Sequence, residues 1–192
     1  MLALLRPNAT IDFAPAPVRI EDERPADARD REALLDEAFG LERLAKTSQR
    51  LRDDRLPARG LALAARDERK LLGTLRCWNI DAGGVPALLL GPLAVALSHR
   101  SHGIGAKLIR EALWRAASLG HKAVLLVGDA PYYARFGFDA TLTANLALPG
   151  PVDRARFLGF EIECGALNGA QGLVRATGPR ASASARALKR AA

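Results

Sequence analysis

The 192-residue sequence contains two cysteines, one methionine and three histidines, and aromatic residues make up only 5% of it. Cys77 and Cys164 stand at no CxxC or metal-ligand spacing, so no disulfide framework or zinc motif is written into the chain and a reducing compartment is expected. No apolar run reaches the ~18 residues of a membrane span. The longest, over residues 85–97, is interrupted by Pro86, Gly91 and Pro92. The first residues lack the basic start and long apolar stretch of a secretory signal, which points to a soluble, cytoplasmic protein with no membrane partner.

Acids are also in deficit. Lys and Arg number 28 against 21 Asp and Glu, a net charge of +7 that suits nucleic acid, membrane surfaces or anionic small molecules. Arg180, Arg186, Lys189 and Arg190 carry +4 of this beyond Ala176, which leaves the body at +3 and argues against nucleic acid as a partner. With 49% hydrophobic and 26% charged residues, the composition is that of one globular domain with an aliphatic, Ala-rich core. Residues 1–16, with Pro7 and Pro15, read as an N-terminal arm. The domain covers 17–177. Residues 178–192 are Ala, Ser and Arg, too poor in large apolar groups to fold, and read as a basic, disordered tail.

Along the domain, residues 18–21 alternate like a short strand, and Pro25 and Asp27 open a helical pattern through Leu34, Leu35, Ala38 and Phe39 that Gly40 ends. A second helix is expected over 41–51. Residues 60–66 and 71–80 form a hairpin, and 87–97 a strand that must bulge or splay at Gly91-Pro92, because proline has no N–H for the ladder. Residues 106–119 form a helix with Leu108, Ile109, Ala112, Leu113 and Ala116 on one apolar stripe and Lys107, Glu111 and Arg115 on the wet side. A buried strand follows over 123–127. Asp129 caps a short helix that begins at Pro131 and stops at Gly137, and beyond Thr141 only residues 157–162 suggest a strand.

The sharpest chemical feature is Arg100-x-x-Gly103-x-Gly105, between the apolar strand and the amphipathic helix. Glycines let backbone N–H groups converge at a helix N-terminus, where partial positive charge favours a phosphate; geometry alone would equally account for two glycines in such a turn. A Walker loop is excluded because no Lys-Ser/Thr follows. A dinucleotide fingerprint fits poorly: Asp129 lies 21 residues past Leu108, but Leu108 occupies the third-glycine position and only 63 residues remain beyond Asp129. The second feature is Tyr132-Tyr133-Ala134-Arg135-Phe136-Gly137-Phe138. Tyr132, Phe136 and Phe138 suit packing, whereas Tyr133 could place its hydroxyl in a cleft, and a phenol can donate to a leaving thiolate.

Together these segments resemble the GCN5-related N-acetyltransferase (GNAT) family, in particular its small bacterial branch of predicted acetyltransferases. The likeness covers roughly residues 18–138: Arg100, Gly103 and Gly105 meet the family's loop motif, Gly91-Pro92-Leu93-Ala94-Val95 looks like its splayed strand, and Tyr133-x-x-x-Gly137-Phe138 like its closing element. The resemblance implies a mixed α/β (α+β) domain with a central, mostly antiparallel sheet, a splayed strand and flanking helices. It implies acetyl-CoA as co-substrate and an amine as acceptor, attacked directly at the thioester. The backbone of Ser101, His102, Gly103, Ile104, Gly105 and Ala106, with Arg100, would hold the pyrophosphate; Leu93, Ala94 and Val95 would pair with the pantetheine amides; Tyr133 would protonate the departing thiolate. Asp129 stands where many relatives have Asn, and a capping role suffices for it.

No base is identified. Glu21, Asp81, Glu161 and Glu163 are candidates by type, each equally readable as a surface acid. His99 and His102 lack a third ligand, so no metal is expected. Trp78 and Trp114 read as packing groups. The contrasting reading is a non-catalytic CoA-binding or regulatory module, and whether the chain is a homodimer is left open.

Overall fold

Proline at the first turn, a buried apolar pair and a terminal glycine produce the first helix. In the computed structural model, which describes residues 17–181 apart from residue 69, strand β1 (Arg19–Asp22) leads through a 3-10 turn at Pro25–Asp27 into α1 (Ala28–Phe39). The Asp27 carboxylate accepts from Arg24 N at 2.7 Å, and Gly40, at φ +67°, returns its N–H to Asp36 O. Leu34 and Leu35 of α1 bury themselves against Ala94. The expected arm over 1–16 and residues 182–192 of the expected tail lie outside the described residues.

Strands β2 (Ala62–Arg66), β3 (Leu71–Ala82) and β4 (Val85–Val95) form an antiparallel meander, and α2 (Ile104–Ser118) crosses over to β5 (Ala123–Val127), which pairs parallel to β4. After the short α3 (Ala130–Ala134) come β6 (Leu146–Ala147), β7 (Phe157–Glu161) and β8 (Gly172–Ala176). The sheet order is β1-β2-β3-β4-β5-β7, with β8 on the far half of β3 and β6 parallel to β8. The expected mixed α/β domain with a mostly antiparallel sheet is therefore what the chain forms. On one face of the sheet α2 buries Ile104, Leu108, Ile109, Ala112 and Ala116, none more than 2% exposed. Each large aliphatic group so buried stabilises by ~1.5–3 kcal/mol. Trp78, Leu125, Phe157 and Val174 belong to a second cluster.

Four expectations change. Residues 41–51 form two 3-10 segments, Leu41–Ala45 and Thr47–Leu51, broken at an extended Lys46, rather than one α-helix. Tertiary bonds take over there: Thr47 Oγ1 donates to Pro151 O and Arg50 Nη1 to Pro149 O, both at 2.6 Å. Trp114 is not a packing group; it is 65% exposed on α2, as Lys107 is exposed one heptad earlier. Strands β6 and β8 lay in a stretch with little pattern, because they are short and their partners are distant. Finally, order runs past residue 177: Gly178 N donates to Asn79 O, Leu56 N to Pro179 O at 2.9 Å, and Ala181 N to Asp54 O at 2.9 Å.

Candidate active site

β4 and β5 pair at Leu88↔Val124 and Leu89↔Leu125 and then part. The cause is local to β4. Between the pairs Leu75↔Leu93 and Cys77↔Leu90, β4 carries one residue more than β3, a bulge at Gly91-Pro92, where Gly91 holds φ +124° and Pro92 has no N–H to give. Trp78 Nε1 donates to Gly91 O at 2.6 Å and fixes the bulge from the second core cluster. Leu93, Ala94 and Val95 keep their pairing with β3, and their other edge has no strand partner among the described residues.

The start of α2 faces that edge. Ser101 at φ +66° and Gly103 at φ +76° turn the chain into the helix, which has no side-chain cap. Its first backbone bond is Lys107 N to Gly103 O at 3.0 Å, so the N–H groups of Ile104, Gly105 and Ala106 have no acceptor within the helix. Aligned peptide dipoles add positive potential there, and Arg100 and Arg135 add full charges. Strand edge and helix terminus line one cavity of about 590 Å³. Leu93, Ala94, Val95, Arg100, Ser101, Gly103, Ile104, Gly105 and Ala106 all line it. Of the residues expected to hold the cofactor only His102 does not; its Nδ1 lies 2.9 Å from Arg100 O, bracing the loop. His99 does line the cavity.

Tyr132 was expected to pack away from the cleft and instead lines this cavity, with the Arg135 guanidinium 4.6 Å from its ring centre. A Cβ added at Gly105 would stand 2.9 Å from the Tyr132 hydroxyl, so that glycine makes room for the phenol. The sequence signal available was the Gly105 motif together with two adjacent tyrosines on a capped turn, of which only one can pack inward.

A second cavity, about 220 Å³, adjoins the first and shares Phe39 and Leu93 with it. Its walls are the bulged part of β4, residues 127–129 at the end of β5, Tyr133, and a set of cations: Arg43, Lys46, Arg52 and Arg156. Asp129 accepts from Tyr132 N at 3.3 Å and caps α3, as expected. Gly137, at φ +88°, then reverses the chain so that Phe138 meets the Tyr133 ring edge-on at 5.8 Å. Burial, with a smaller push from Tyr132, raises the Tyr133 phenol above its ordinary value, so it stays protonated. Gly128 escaped the sequence reading. A Cβ there would stand 2.2 Å from Tyr133 Cε2, so the absence of a side chain is what lets the ring lie across the end of β5.

The four candidate bases all have other employment. Glu21 pairs with Arg24 and Arg66, Asp81 accepts from Gly84 N at the β3–β4 turn, Glu161 accepts from Gly165 N and Leu167 N, and Glu163 pairs with Lys122. None of them lines either cavity. Cys77 is buried in the sheet, its thiol pushed up to about 12 by burial, and lines neither cavity. Among the described residues no group of three or more His, Cys, Asp or Glu is placed to hold a metal ion. None of the described helices is long and apolar enough to cross a membrane.

The acetyltransferase (GNAT) family pattern matches residues 28–138. The chain is 33% identical over 157 residues to the uncharacterized N-acetyltransferase YhbS of Escherichia coli strain K12, covering 81% of this chain and 93% of that protein. A crystal structure of the Escherichia coli GNAT family N-acetyltransferase YhbS in complex with CoA superposes with a TM-score of 0.70 at 31% identity, covering 85% of this chain and 90% of that one. A GNAT family acetyltransferase from Brucella melitensis, solved with acetyl-CoA, gives a TM-score of 0.58 at 26% identity, covering 86% and 92%.

Proposed function

This chain belongs to the GNAT family of N-acetyltransferases, and we propose that it binds acetyl-CoA in the larger cavity and passes the acetyl group to an amine held in the smaller one. The observation that carries this reading is the meeting, in one cavity, of an uncapped helix N-terminus and an unpaired strand edge. Three free N–H groups and two arginines suit a pyrophosphate, and an unpaired edge suits a chain of amides. The CoA and acetyl-CoA complexes of the two structural relatives support CoA as the ligand.

Chemistry falls where the cavities join. The amine lone pair attacks the thioester carbonyl carbon, the nitrogen passes a proton to water, the C–S bond breaks, and the sulfur takes a proton from a donor that regains one from water. Tyr133 is the donor in this reading, lining the smaller cavity beside the shared Leu93 with its phenol held neutral. Because a phenol above pKa ~10 is a weaker acid than a thiol near ~8.5, its part is to hydrogen-bond the developing thiolate and complete the transfer as product forms. Direct attack is favoured over an acylated cysteine, since neither cysteine lines either of these two cavities. Two free thiols also accord with action in the reducing cytoplasm.

Calorimetric titration with CoA, followed by a thiol-release assay with acetyl-CoA and a pool of amines, tests this. Binding with amine-dependent release is expected. CoA binding with no release by any amine would favour a non-catalytic CoA module.

A further inference from the structure

Resting on the acetyl-transfer reading above, we propose that the acceptor is a small amine that also bears an acid group, a carboxylate or a phosphate, and that Arg52, assisted by Arg156, receives that anion in the smaller cavity.

The cavity's charges are unequal. Four cations line it, Arg43, Lys46, Arg52 and Arg156, against one carboxylate, that of Asp129, which caps α3. Arg43 is already neutralised by Glu32 and Asp36, each at 2.7 Å. Lys46 holds its ammonium 4.9 Å from the Phe39 ring centre. Arg52 differs from both. It is 7% exposed, its Nε and Nη2 donate only to Ser48 O and Ser48 Oγ, both at a long 3.2 Å, and no described carboxylate lies within ion-pair distance. The neighbouring Asp53 accepts from Gln49 Nε2 at 2.6 Å instead. Burial pushes the Arg52 guanidinium down to about 10, with the Asp53 charge opposing and that of Arg43 reinforcing the drop, so it is still charged at neutral pH.

A buried cation without a counter-ion is unfavourable, and a planar two-oxygen anion offers the fork-shaped guanidinium what Ser48 does not. Arg156 sets a second cation against the Tyr133 wall. Its Nε donates weakly to Gly128 O at 3.3 Å, and it too has no described carboxylate within ion-pair distance. The same excess of positive charge disfavours an ammonium ion, so the acceptor's amine enters more readily as the neutral nucleophile. That accounts for a site in which no unengaged carboxylate stands ready as base.

Matched amines test the proposal: β-alanine against β-alaninamide, and O-phosphoethanolamine against ethanolamine, each assayed for CoA release and for thermal protection of the CoA-saturated enzyme. In at least one pair the acid-bearing member should show kcat/KM about tenfold or more above its neutral partner, and Arg52→Gln should raise its KM about tenfold with CoA affinity unchanged. The pair that responds tells carboxylate from phosphate. Should Arg52→Gln misfold, Arg156→Gln, at an exposed position, should still raise the KM about threefold or more. With CoA binding intact, neutral partners used as well or better, or acid-bearing amines that neither react nor protect, overturn the proposal. A wild-type enzyme that does not bind CoA overturns the acetyl-transfer reading instead.

Discussion

The two cavities are built in different ways. The larger one is made largely of backbone: three N–H groups at the start of α2 and the free edge of β4, from stretches within Leu93 to Ala106. The smaller one is made largely of side chains gathered from distant places, Arg43 to Arg52 before β2, the bulge of β4, Gly128 to Tyr133, and Arg156 before β7. A backbone site can be kept by a few glycines and a proline while other residues vary. A side-chain site is fixed residue by residue, so on the acetyl-transfer reading it is the one that would set specificity.

If chemistry belongs to the smaller cavity, Tyr133→Phe should lower kcat by ~10²–10⁴-fold with the KM for acetyl-CoA unchanged. Because burial raises the phenol's pKa, its neutral, donating form persists above the ordinary value, and kcat should not fall between pH 8 and ~10 through this group. A loss of cofactor affinity in Tyr133→Phe would break the division. Next in size is Gly128→Ala, whose Cβ would overlap the Tyr133 ring; displacement of about 1 Å is enough to cost ~10²-fold in kcat. Steady-state kinetics beside CoA calorimetry would show whether only turnover responds. Truncation after Thr177 removes the bonds from residues 178–181 to the 54–56 segment behind the cationic wall and should cost ~1–3 kcal/mol, a drop of several degrees in Tm. The smallest effect falls on the larger cavity: Tyr132→Phe removes a hydroxyl beside Gly105 and should weaken CoA binding by ~2–10-fold, with kcat retained.

What was legible in the sequence follows the same division. Gly91-Pro92 and Gly103 mark backbone conformations that few other residues tolerate, and Gly105 marks a close approach, so the bulge, the splayed strand and the helix start could be placed from local chemistry. α2 was legible because its stripe is periodic. Residues 41–51 misled because their helical spacing is overridden by tertiary bonds from Thr47 and Arg50. Arg52 carried no local signal: its significance lies in burial without a carboxylate, which depends on where residues 43–52 come to rest. The two adjacent tyrosines were legible as a pair. Their division between the cavities depends on Gly105 and Gly128, one on each side, making room for the rings.

If the larger cavity holds the cofactor and the smaller one carries the chemistry, the two roles are separable by mutation. Calorimetric titration of CoA into Gly105→Val and Tyr133→Phe, side by side with wild type, tests it most directly. A branched side chain at Gly105 would meet the Tyr132 hydroxyl and Val95 in the cradle, so Gly105→Val should weaken CoA by at least ~10-fold while Tyr133→Phe binds it as wild type does. Unchanged affinity in a folded Gly105→Val protein, or an equal loss in both variants, would contradict it.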